Sequence, residues 1–124
     1  MQPYWTMSNF EGLYLEDSYV LGISEADGEV RFKMDIILRE THPEYKKPRH
    51  GEIYCYAPAE IIFKNVRNVR WIRNIMMKYT DKDGTVDYGN IDSMYVNRDN
   101  NRFDIEGDWG RLVIESDWPE VVIN

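Results

Sequence analysis

The residues best placed by type and spacing to do chemistry lie in the segment DKDGTVDYGNID. Asp81, Asp83, Gly84, Val86 and Asp87 follow the spacing of the second half of a calcium loop, where alternating carboxylates surround the ion and a glycine makes the bend. The register fails at both ends, because the first ligand position falls on Tyr79 and the bidentate glutamate position on Asn90. An Asp-Gly hairpin turn with solvated acids accounts for the same residues more simply.

Other reactive groups are sparse. His42, His50 and Cys55 are separated by seven and four residues, which matches no compact zinc pattern, and we expect no metal and no cofactor. Cys55 stands in the apolar run IYCYA and reads as a buried, inert thiol. Ser8, Ser18, Ser24, Ser93 and Ser116 lack a nucleophile elbow, and no glycine-rich phosphate loop opens a helix. No catalytic residue is therefore assigned, and an enzyme would need a site assembled from distant strands.

Residues suited to contact are more numerous. Arg67, Arg70, Trp71 and Arg73 form one basic-aromatic cluster, which could stack single-stranded nucleic acid or simply pair with acids from the flanking segments. The second reading is simpler. Trp109 in GDWG and Trp118 in SDWPE sit in connections ringed by acids. Together with Asp87, Tyr88, Asp92 and Asp108 they are the expected partner-binding residues, since tryptophan and tyrosine carry much of the energy of interfaces.

The elements that must position these groups are strands. Val30, Phe32, Met34, Ile36 and Leu38 alternate with Arg31, Lys33 and Asp35, which predicts a strand with one face in the core. Asp27-Gly28 before it tolerates the positive φ of a tight hairpin, so YVLGIS is its partner strand. RETHPEYKKPRHGE reads as a surface loop, and IYCYA and EIIFKNV as strands around Pro58. Within 66–78, Val66, Val69, Ile72 and Ile75 recur every three residues, as in a short helix, whereas Val69, Trp71 and Arg73 share one face of a strand. We expect the strand, followed by an irregular turn. IDSMYV, RFDIE, RLVIES and EVVI complete about eight short strands at hairpin spacing, the pattern of a single antiparallel sandwich or open barrel. Residues 1–124 are expected to form one mainly β domain.

Composition agrees. Nine Tyr and four Trp accompany many Val and Ile residues, which favours strands. One cysteine closes off an internal disulfide framework. The opening MQPYWTMSNFEG lacks the basic start and apolar run of a signal peptide, and the apolar runs are short, so a cytoplasmic protein without a membrane span is expected. Net charge is −7, arranged in blocks: residues 1–30 hold six acids and no Lys or Arg, 31–80 carry +6, and 81–124 carry −7. Phosphate repels most of such a chain, which argues against nucleic acid and suits a basic protein partner.

With LEDSYVL at 15–21, HPEYKKP at 42–48, DYGNID at 87–92 and GDWG at 107–110, the chain resembles small uncharacterised bacterial all-β proteins, some akin to the immunity proteins of toxin systems. The resemblance implies a non-enzymatic binding role and supplies no functional residues. The expected function is a protein-binding module, in its most specific form an immunity-type inhibitor of a basic toxin. The alternative is a β domain that binds a small ligand or carbohydrate by stacking sugar faces on Trp109 or Trp118.

Overall fold

The computed structural model describes residues 1–124. Its strands, in chain order, are β1 (Gln2–Pro3), β2 (Leu13–Ala26), β3 (Glu29–Leu38), β4 (Cys55–Phe63), β5 (Asn68–Asn74), β6 (Tyr79–Thr80), β7 (Val86–Asp87), β8 (Ile91–Asn97), β9 (Arg102–Gly107), β10 (Gly110–Glu115) and β11 (Glu120–Ile123). Two short 3-10 turns, Tyr4–Thr6 and Ser8–Phe10, follow β1. One antiparallel sheet has the order β1-β8-β9-β10-β5, a second has the order β11-β4-β3-β2, and β6-β7 is a separate small hairpin. Eight strands are longer than two residues, and they match the expected segments except that IYCYA and EIIFKNV, expected as two strands around Pro58, form the single strand β4.

Alternation and turn chemistry explain the β2–β3 hairpin. Asp27 and Gly28 have φ of 55° and 75°, the left-handed pair that matches strand twist in a two-residue turn. Val30, Phe32, Met34 and Ile36 are buried in the core, while Arg31, Lys33 and Asp35 face outward. β2 itself is longer than expected and starts at Leu13. It also carries a wide bulge: Tyr14 pairs with Ile37 and Tyr19 with Asp35, so residues 15–18 lie opposite Ile36 alone.

β4 runs unbroken through Pro58. The Pro58 carbonyl accepts from Asn124 at 2.9 Å, so the proline nitrogen faces the β11 side and the ladder to β3 is undisturbed. Residues 66–78 contain a strand and no helix. The three-residue spacing is not one face, because Val66 and Val69 pack on the core while Ile72 and Ile75 are exposed. The chain then leaves β5 through Met76 at φ 43°.

The two large sheets enclose one cluster of 23 buried residues in an open sandwich. Aromatic edges cross between the layers: Phe32 meets Trp109 at 5.4 Å and Phe63 meets Phe103 at 5.4 Å between ring centres. Each such large apolar side chain contributes about 1.5–3 kcal/mol through burial. No helix is long and apolar enough to cross a membrane.

Candidate recognition surface

Five of the six expected contact residues converge, but on a structural corner. The corner is Gly89-Asn90. Tyr88 donates its amide to the Val20 carbonyl at 2.8 Å, and Val20 donates to Gly89 at 2.8 Å, which ties this segment to β2. The Asp87 carboxylate is buried and accepts from the Gly89 amide at 2.8 Å. Asp108 accepts from the Asn90 amide at 3.2 Å, and the Trp109 indole donates to the Asn90 carbonyl at 3.1 Å.

Trp109 corrects an expectation. Its residue exposure is 0%, and its ring lies edge-on to Phe32 and Trp71, so it can touch neither a partner nor a sugar. The GDWG spacing turns it inward. Asp108-Trp109 is the hairpin link between Gly107 and Gly110, and a Cβ at Gly107 would collide with the Asn90 carbonyl, while one at Gly110 would collide with that of Arg73. Buried Asp87 is likewise a turn support. Asp92 and Asp108 remain exposed. Asp92 sits in a β8 bulge, and its carboxyl is raised by partial burial first and by the charges of Asp108 and Glu106 second.

The sixth residue, Trp118, lies elsewhere. It is half-buried against the Phe103 edge, with the Arg98 guanidinium 4.9 Å over its ring. That cation occupies one of the two ring faces a sugar could stack on.

The remaining sequence features have local duties. Thr85 Oγ1 bonds Asp83 at 2.8 Å and Asp81 at 3.2 Å, and its amide donates to Asp83, so these acids brace a turn. Those donors hold the Asp83 carboxyl below its ordinary value. Arg67 pairs with Asp117 and Arg73 with Glu106, and the Trp71 indole donates to Glu25 at 3.0 Å. Three of the four members of the basic cluster thus meet acids from the flanking segments, while Arg70 pairs with none.

The structure brings together a different set of residues: a row of tyrosines on the outward face of the four-stranded sheet. Tyr14 and Tyr54 meet edge-on at 5.9 Å, Tyr54 and Tyr56 at 6.2 Å, and Tyr56 stacks on Tyr19 at 5.9 Å. The row lies over Ile37, whose register partners are Tyr14 and Tyr56. Although it points away from the core, Ile37 is buried. The β2 bulge builds this row. Ser18 fills it, donating to the Tyr14 carbonyl at 2.6 Å and accepting from the Ile37 amide at 2.8 Å.

The bulge also sends its two acids to opposite sides. Glu16 accepts from the Tyr4 hydroxyl at 2.6 Å, and Asp17 accepts from the Tyr54 hydroxyl at 3.1 Å. Burial and then the Glu16 bond push the Tyr4 phenol up. The Asp17 bond raises the Tyr54 phenol, and the same carboxylate holds up Tyr14. Burial, followed by the neighbouring Tyr19, pushes Tyr56 up to about 12. Asp35, beside Tyr19 on β3, is raised by burial first and Glu52 second, with Arg49 opposing. The raised phenols of Tyr14, Tyr54 and Tyr56 are neutral at physiological pH, and the row offers ring faces and hydroxyls beside carboxylates.

One end of the row opens into a cleft of about 460 Å³ beneath the 39–54 loop, lined by Tyr14, Tyr54, Tyr45 and the 84%-exposed Ile53. No family model matches the chain, and no curated protein or solved structure matches it either.

Proposed function

We propose that this protein is a non-enzymatic protein-binding module that docks a basic partner on the tyrosine row. The observation that carries this reading is the continuous run Tyr14–Tyr54–Tyr56–Tyr19 flanked by Asp17 and Asp35. Tyrosine supplies large contact area at low entropic cost. The carboxylates and the net charge of −7 favour a cationic surface opposite them. An immunity-type inhibitor that covers a basic toxin surface is the most specific form of this reading. Sugar stacking has less support, since Trp109 is buried and Trp118 is capped by Arg98.

The amide NMR spectrum of the folded chain, titrated with a short peptide of alternating arginine and valine, tests the reading. Shifts should cluster at residues 14–19, 35–39 and 53–57 and fade as salt rises. Shifts scattered over the surface, or none, would overturn it. For the immunity form, a toxin encoded by a neighbouring gene should be neutralised by the parent chain and less well by the folded Tyr14→Ser/Tyr54→Ser variant. Equal neutralisation would remove this face from the inhibitor.

A further inference from the structure

One end of the tyrosine row already holds a cation. The Arg39 guanidinium lies 4.6 Å from the centre of the Tyr14 ring, and Arg98 repeats the arrangement on Trp118. Both cations that the chain places on its own rings are arginines.

The other end has the same aromatic surface and a carboxylate in place of the cation. Tyr19 and Tyr56 stack at 5.9 Å with ring planes 25° apart. Asp35 pairs with Tyr19 across the β2–β3 ladder, and Tyr56 lies one step along, opposite Ile37. Asp35 shares the outward face with this ring pair through its register, and Asp17 joins the row through the Tyr54 hydroxyl. The Asp35 carboxylate makes no hydrogen bond within the chain; Arg49 acts on it from a distance, opposed by Glu52. Lys33, two residues away on the same strand, pairs with no acid. Asp35 is itself half-buried, and that partial loss of water strengthens any ion pair formed there.

Resting on the docking face proposed above, we infer that the Tyr19–Tyr56 end, with Asp35 beside it, is a seat for an arginine side chain of the partner. A guanidinium is planar, so it stacks on a ring while its fork bonds a carboxylate at the edge. An ammonium is a strongly hydrated point charge and makes one contact at the expense of the other. The seat therefore selects arginine over lysine.

The test uses the full chain with tyrosine rings and aspartate carboxyls labelled with carbon-13. The arginine-valine peptide is compared with its lysine-valine counterpart. The arginine peptide should shift the Tyr19, Tyr56 and Asp35 side-chain signals and bind several-fold more tightly than the lysine peptide. Asp35→Asn should weaken the arginine peptide about ten-fold, the loss expected of a charged hydrogen bond, and bring the two peptides close together. Tyr19→Ser, at a more exposed position, should do the same in part. Equal affinity for the two peptides, or an unchanged affinity in folded Asp35→Asn, would overturn the seat. If shifts then persist at Tyr14, Tyr54 and Asp17, the docking face stands without it; if the whole row stays silent, both fall.

Discussion

The indole Nε1 of Trp109 donates to the backbone carbonyl of Asn90 at 3.1 Å, joining the β9–β10 turn to the segment that enters β8. Asn90 is held from three more directions, through its amide by Asp108, through its side chain by the Glu16 carbonyl, and through Gly89 by Val20. The motifs LEDSYVL, DYGNID and GDWG therefore meet at one residue. Their shared duty is to fix the seam between the sheets.

Removing the indole donor tests this seam. Trp109→Phe keeps most of the apolar ring but leaves the Asn90 carbonyl without its partner, at a cost of about 1–3 kcal/mol. Trp109→Ala adds a cavity and should cost about 3–5 kcal/mol. Urea unfolding measures both, and a Phe variant as stable as the parent would show that the bond contributes little.

Glycine substitutions should divide sharply. Gly107→Ala drives a methyl group into the Asn90 carbonyl and should destabilise by about 1–3 kcal/mol, as overpacking does, or prevent folding. Gly22→Ala meets open space in a strand and should be neutral or stabilise by about 0.4–1 kcal/mol. Thermal melts of the two variants report the contrast, and equal melting temperatures would contradict it.

Ser18 is the residue on which the tyrosine row depends. Ser18→Ala strands the Tyr14 carbonyl and the Ile37 amide inside the bulge, costing about 1–3 kcal/mol per unmet group. Its second effect is geometric: Tyr14, Asp17 and Tyr19 lose their fixed spacing. The Asp17–Tyr54 bond should weaken, and the Tyr54 phenol should titrate at lower pH by ultraviolet absorbance. A variant with an unmoved Tyr54 titration would show that the row is positioned some other way.

Two carboxyls give the stability a pH signature. Asp35 and Asp92 bind their protons more tightly folded than unfolded. Their stabilising contribution is complete below the ordinary value of 3.8 and is lost as pH rises through the folded value. Asp35→Asn and Asp92→Asn should therefore raise the melting temperature at neutral pH, with the gain shrinking as pH falls toward 3.8. A gain of constant size across that range would rule out protonation as its cause.

The hairpins were legible because local chemistry and tertiary burial agree in them. Asp27-Gly28 takes the positive φ its residue types allow, and the alternation after it matches the sheet faces. The tyrosine row was hidden by parity. Tyr14 and Tyr19 are five apart, so simple alternation puts them on opposite faces, and only the bulge brings them to one. Tyr54 and Tyr56 flank Cys55 and share the outward face, a signal present in the sequence. Trp109 misled for a related reason. A tryptophan in a turn between acids reads as exposed, yet Gly107 and Gly110 allow the backbone to come close enough for the ring to reach the core.

The way β2 ends the four-stranded sheet bears on how the molecule behaves in a crowded solution. A terminal strand with free amides and carbonyls recruits strands from other molecules. Over Leu15–Val20 several of those groups are engaged: the Leu15 amide donates to the Tyr4 hydroxyl, the Glu16 carbonyl accepts from Asn90, and Val20 exchanges both its bonds with Tyr88 and Gly89. Strand-on-strand growth into fibres is therefore obstructed over Leu15–Val20, where the sticky aromatic face reaches the sheet border.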